Sequence, residues 1–200
     1  KMPVVEDHGG QFVTKEEAKK FKLSYMAHWD IPVNIDGTTV HVLMAHPTPP
    51  VFDAEANLNG RRNHDEVRLL TDYVKGEDYI YDDSGEKGGL PEDAKFVLMG
   101  DMNASPGGAD NFEAASLLIE NPEMNTSTFP MSQGGIDISA SARFNTLSDL
   151  RIDYVLPSKD IEIKGSAVFW PGLGPGALRL QEVTKQASDH KLVWVEADIS

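Results

Sequence analysis

Residues 96 to 106 read Phe-Val-Leu-Met-Gly-Asp-Met-Asn-Ala-Ser-Pro, an apolar run that ends in Gly-Asp-x-Asn. Side chains two apart on an extended chain point to the same side. Asp101 and Asn103 are therefore expected to converge on one ligand, a carboxylate base beside a neutral donor, while Gly100 lets the backbone approach closely. The same letters open a calcium loop of the form D-x-N-x-S, but that loop needs Gly at its sixth position and an acid at its twelfth. This chain has Pro106 and Phe112 there. Three further segments join a β-rich apolar run to an acid or a histidine: Val40 to Pro47 with His46, Arg151 to Leu156 with Asp153, and Ala187 to Val195 with Ser188-Asp189-His190. Acids and imidazoles at strand ends are how sites are built on the rim of a sheet. Each also has a plain structural reading: His46 as a hydrogen-bonded loop residue, Asp153 as a buried acid paired with Arg151, and Asp189-His190 as a strand-start cap.

The elements that must position these groups follow from local pattern. Thr14-Lys15-Glu16-Glu17 has the spacing of a capping box and predicts a short helix through about Phe21. Ile31 to Ile35 and Thr38 to Ala45 flank Asp36-Gly37, a strong hairpin signal. Pro47, Pro49 and Pro50 then stiffen the loop after His46. Asn63-His64-Asp65-Glu66 predicts a helix cap, followed by a packing stripe of Val67, Leu70 and Val74 that Gly76 ends. On that reading Arg62, Asn63 and His64 sit where a loop enters a helix. Because a helix N-terminus attracts anions, Arg62 and Asn63 become candidate substrate-binding residues. Residues 77 to 93 read as an acidic surface loop, 96 to 99 as a strand, 112 to 119 as a helix and 125 to 145 as a long loop. Three strands close the chain, over 151 to 156, 161 to 170 and 192 to 197. Pro171 to Gly176 is a turn-forming loop with no Lys-Ser/Thr after it, so it has no phosphate-cradle role. Trp29 and Trp170 read as pocket-lining or, more simply, buried aromatics. Strands mixed with helices, some joined by hairpins, predict a layered α/β sandwich with mixed, largely antiparallel sheets flanked by helices.

Composition narrows the chemistry. The chain has 200 residues and a 40% hydrophobic share, enough for one domain or a large piece of one. It contains no cysteine, which excludes disulfides and thiolate metal sites and leaves cytoplasm, periplasm and secretion all compatible. No apolar run reaches membrane-spanning length. A formal charge of -14 repels polyanions, so long nucleic acid is disfavoured as a partner, although Arg61, Arg62 and Arg68 cluster locally. Ser188 and His190 suggest a serine triad, yet no Gly-x-Ser-x-Gly elbow accompanies them.

In the order strand-His, Gly-Asp-x-Asn, Arg-Ile-Asp-Tyr-Val-Leu and Ser-Asp-His, the four segments resemble the endonuclease/exonuclease/phosphatase superfamily of deoxyribonuclease-like, metal-dependent phosphoesterases. The resemblance spans roughly His28 to Ala197. His28-Trp29-Asp30, His46-Pro47-Thr48-Pro49-Pro50, Arg62-Asn63-His64-Asp65-Glu66 and Val168-Phe169-Trp170-Pro171 are similar to a bacterial branch of often larger proteins. The resemblance implies that Asp101 orients and deprotonates a water, Asn103 donates to a phosphoryl oxygen and Asp153 holds His190 in the required tautomer. It also implies that His46 contacts the phosphate or assists the leaving group, and that Asp189 helps hold Mg²⁺ or Mn²⁺. The implied activity is divalent-metal-dependent phosphoester hydrolysis of small substrates. A nuclease acting on DNA or RNA and a non-catalytic binding module of the same fold are the alternatives. Family members carry, ahead of the strand-His motif, a strand with an Asn and then a Glu that is the principal metal ligand. Neither is found here, since Glu16 and Glu17 lie on a predicted helix and Glu6 in a polar opening segment. Residues 1 to 200 are therefore expected to form a single partial domain truncated at the N-terminus, with the principal ligand upstream of Lys1 and weak magnesium binding and activity on its own.

Overall fold

The computed structural model describes residues 16, 19–52, 57–108 and 111–199. Of the helix expected over Thr14 to about Phe21, residues 14, 15, 17 and 18 lie outside these; Glu16 is helical and pairs with Lys19 at 2.9 Å, but residues 19 to 21 are turn and coil, so the helix does not reach Phe21. Two compact units emerge. The first comprises residues 1–29, 44–94 and 101–121, the second residues 30–43, 95–100 and 122–200.

The second unit carries the sheets. β1 (His28–Ile35) and β2 (Thr38–Ala45) are joined by Asp36-Gly37. Both turn residues have positive φ, 50° and 92°, as a two-residue turn matched to strand twist requires. With β3 (Lys95–Asp101) and β4 (Asp153–Pro157) they form a four-stranded sheet in the order β1-β2-β3-β4, and β5 (Glu162–Phe169) pairs antiparallel with β6 (Leu192–Asp198) in a second sheet. Val40, Leu43, Phe96, Leu98, Tyr154 and Leu156 are buried. On β3 the buried Phe96 and Leu98 alternate with the less buried Val97 and Met99, the period of a strand with one covered face. Each such side chain contributes about 1.5–3 kcal/mol when fully removed from water.

The first unit is built on α1 (Leu58–Val74), which packs against α2 (Ala114–Ile119). Val67, Leu70 and Val74 on α1 and Ala114, Ala115 and Leu118 on α2 are buried, so the predicted stripe is the packing face.

The structure matches the mixed α/β class and differs in several boundaries. α1 begins at Leu58, five residues ahead of the expected cap, so Arg62 and Asn63 stand inside the helix and not at its N-terminus. Asn63 is a good capping residue by type, but tertiary partners claim its side chain and the capping preference is overridden. The 125 to 145 segment, expected as loop, contains α3 (Gln133–Ile138), capped by Ser132, and a 3-10 turn over Ala142–Phe144. Residues 177 to 187, for which no element was expected, form α4 (Ala177–Ala187). Its Leu178, Leu180 and Val183 are exposed, so no buried stripe announces the helix, and its strong helix formers sustain it. Trp29 is 59% exposed and lines no core. No described helix is long and apolar enough to cross a membrane.

Candidate functional site

The first unit contains His46, the residue after β2, and Asp101, the last residue of β3. Gly100 precedes the acid with φ 145°, a conformation open in practice to glycine alone. The strand ends at Asp101, and Asn103 adopts φ 48°, the left-handed region that Asn tolerates. The alternation expected to bring Asp101 and Asn103 onto one side therefore does not apply. A local turn joins them, in which the Asn103 amide donates to Asp101 Oδ1 at 2.8 Å. Asp101 Oδ2 lies 3.6 Å from His46 Nε2. The Asn103 carboxamide donates one N–H to the Pro47 carbonyl at 3.1 Å. His46, Asp101 and Asn103 are thus brought together.

Behind them is a buried polar network on α1. Asn63, fully buried, donates from Nδ2 to the carbonyls of Thr48 and Met102, both at 2.9 Å, and accepts from Asn111 Nδ2 at 2.9 Å. Glu66, also fully buried, accepts the Thr48 amide at 2.6 Å and the Tyr25 amide. Burial pushes its carboxyl above the ordinary range, against the opposing pull of those amides. His28 bonds Ser24 Oγ at 2.9 Å and the Glu66 carbonyl at 3.2 Å, and burial holds its imidazole below its ordinary value. Arg62 is occupied elsewhere: Nε donates to the Leu23 carbonyl and Nη2 to the Lys22 carbonyl, each at 2.9 Å, with its guanidinium over Phe21 and Tyr25. The helix N-terminus from which substrate binding by Arg62 and Asn63 was expected lies at Leu58 instead. Both roles rested on a helix N-terminus that is not there, and both side chains are used by backbone carbonyls.

In the second unit, Asp153 at the start of β4 faces His190. Both carboxylate oxygens lie near Nδ1, at 3.1 and 3.0 Å. A carboxylate there favours the tautomer protonated at Nδ1, which places the basic lone pair on Nε2. Thr146 sets the pair from behind. Its hydroxyl accepts the amides of Ile152 and Asp153 at 3.1 and 3.2 Å, while its carbonyl accepts the Lys191 amide at 2.8 Å. Ser188 Oγ accepts the His190 amide at 3.1 Å, the local turn of a positioning residue. Arg151, the alternative partner considered for Asp153, lies with its guanidinium over Phe129 at 4.0 Å and over Tyr154 at 4.7 Å. Burial lowers its pKa and raises that of Tyr154. Asp189 is exposed and lies outside the described clusters of three or more metal-ligating side chains, so its expected ligand role gains no support from geometry.

Sequence reasoning missed Thr146, Asn111 and Glu66. The first two sit in Asn- and Thr-containing loops whose pattern carries no signal. Glu66 did carry one: an acid on the apolar side of the α1 stripe, one residue before Val67.

A family model described as the endonuclease/exonuclease/phosphatase family matches residues 14–190. No curated protein matches the chain. Among solved structures, an endonuclease/exonuclease/phosphatase from Beutenbergia cavernae is 17% identical, with a TM-score of 0.50 over 84% of this chain and 38% of that one. A mannosyl-6-phosphatase from Bacteroides thetaiotaomicron is 13% identical, with a TM-score of 0.44 over 82% of this chain and 52% of that one. A beta toxin mutant from Staphylococcus aureus with bound magnesium ions is 16% identical, with a TM-score of 0.41 over 84% and 52%. The chain spans 38% to 52% of the length of these three structures. At 17% identity and a TM-score of 0.50, the likeness to the Beutenbergia cavernae protein bears on fold alone.

Proposed function

The chain belongs to the endonuclease/exonuclease/phosphatase family, and from that membership we propose that it takes part in the divalent-metal-dependent hydrolysis of small phosphoesters. The observation that carries this reading is the Asp153–His190 pair, with Nδ1 held by both carboxylate oxygens. The family match covers residues of both compact units, and each group of residues is assigned its role separately.

Phosphoester cleavage needs an activated water, stabilisation of charge on the phosphoryl oxygens and help for the leaving oxygen. His190 Nε2 is the basic ring atom, with Asp153 fixing the tautomer and stabilising the imidazolium when a proton arrives. Asp101, steadied by the Asn103 amide, orients the attacking water. Asn103 donates its second carboxamide N–H to a phosphoryl oxygen, and His46 assists at the leaving oxygen. Hard oxygen donors suit Mg²⁺ or Mn²⁺, and Asp101 would supply one carboxylate ligand to such an ion. When bound, the ion would supply charge stabilisation on the phosphoryl oxygens.

Small substrates are favoured over duplex DNA because a chain of charge -14 releases few phosphate counterions on binding a polyanion. The test is turnover in magnesium and in manganese on a panel of phosphomonoesters and diesters beside plasmid DNA. Weak hydrolysis of a small ester by residues 1 to 200, abolished by chelator, is the expected result. Efficient plasmid nicking with negligible small-ester turnover would move the reading to a nuclease.

A further inference from the structure

We infer that Asn63, acting with Asn111, is a positioning residue that locks the His46 loop to the Asp101–Asn103 turn. Two segments of the first unit must hold register for that group to act: residues 46 to 48 after β2, and residues 101 to 103 at the end of β3. One carboxamide spans them. Asn63 Nδ2 donates to the Thr48 carbonyl, two residues beyond His46, and to the Met102 carbonyl, between Asp101 and Asn103, both at 2.9 Å. Both neighbours are carbonyls and can only accept, so the amide nitrogen must face them and the side-chain orientation is settled by chemistry.

The oxygen of Asn63 accepts from Asn111 Nδ2 at 2.9 Å, and the same Asn111 nitrogen reaches the Asn103 carbonyl at 3.3 Å. The chain of contacts therefore ends on the residue whose backbone amide holds Asp101 and whose own carboxamide ties back to Pro47. Asn63 is fully buried and Asn111 nearly so, so water does not readily substitute for either. An Asn in a helix interior is ordinarily unfavourable. Here its donors face outward from α1 onto two rim segments, which neither an aliphatic side chain nor a carboxylate can reproduce. Neither residue is placed to touch a reacting atom; both act through Asp101, Asn103 and His46.

The catalytic half of this inference rests on the hydrolase reading, and the test separates the two. Asn63→Ala and the milder Asn111→Ala are compared with the parent protein for melting temperature, steady-state kinetics on bis(p-nitrophenyl) phosphate in magnesium, and hydrogen exchange of the Asn103 amide. In folded protein, kcat should fall about tenfold or more while KM stays within about threefold, the signature of lost transition-state positioning. The Asn103 amide should exchange about tenfold faster without a matching rise across the α1 core. Activity lost only in proportion to the folded fraction, or kcat and Asn103 exchange both unchanged in Asn111→Ala, would overturn the assignment. A parent protein inert toward every phosphoester would sink the hydrolase reading instead, and the exchange comparison alone would then decide whether the clamp holds the turn.

Discussion

Nδ1 of His190 stands 3.1 and 3.0 Å from the two carboxylate oxygens of Asp153, although the residues are 37 positions apart in the chain. The contact is maintained by Thr146, whose hydroxyl and carbonyl hold the segments on either side of it. Replacing the carboxylate with a carboxamide keeps the shape but offers Nδ1 either a donor or a neutral acceptor, so the tautomer is no longer dictated. Asp153→Asn should lower kcat/KM by about 10²- to 10⁴-fold, with the melting temperature nearly unchanged. Wild-type kinetics in that variant would reduce the pair to a structural contact.

Asn103 combines a carboxamide with a left-handed backbone at φ 48°. Asn103→Gly removes the side chain without adding backbone strain, since glycine accepts that φ freely. Loss of a transition-state donor of this kind lowers kcat by about 10²-fold or more. The measurement is single-turnover hydrolysis by the folded variant, and retained turnover on every substrate that the parent cleaves would make Asn103 structural.

Gly100 holds φ 145° immediately before Asp101. Any side chain there either strains the backbone or rotates the peptide that aims the acid. Gly100→Ala should destabilise the fold by about 1–3 kcal/mol, read from urea midpoints. Activity should fall further than the lost stability explains. An alanine variant with parental stability and turnover would show that the conformation is not required.

The half-buried His28 and the buried Glu66 are expected to set opposite pH slopes in stability. His28 has its pKa lowered by burial. The unfolded chain therefore takes up a proton near pH 6.5 that the folded chain resists, and stability is lost as pH falls below that value. Glu66 has its pKa raised by burial. The unfolded carboxyl ionises first, so its contribution is present below its ordinary pKa of about 4.5 and is lost as pH rises toward the folded value. Urea unfolding from pH 4 to pH 8 should show His28→Asn flattening the slope just below about pH 6.5, while Glu66→Leu flattens the region above about pH 4.5. If neither slope moves, the two groups do not govern the pH response.

The hairpin at Asp36-Gly37, the alternation of β3 and the stripe on α1 were legible because each is a local rule of period or turn chemistry, complete within a dozen residues. The pairing of Asp153 with His190 was legible only by resemblance, since no spacing rule connects residues so far apart. The sequence misled where a side chain answered to distant partners. Asn63 reads as a cap because Asn prefers caps, yet Thr48, Met102 and Asn111 hold it inside a helix that begins at Leu58. Asn103 reads as the next strand residue facing with Asp101, yet it leaves the strand in a left-handed turn. Which residues could do chemistry was therefore decided by the amino-acid types themselves. Which of them bind and which merely hold others in place was decided by tertiary structure, because a buried carboxamide or carboxylate takes the role of whichever backbone groups burial leaves without water.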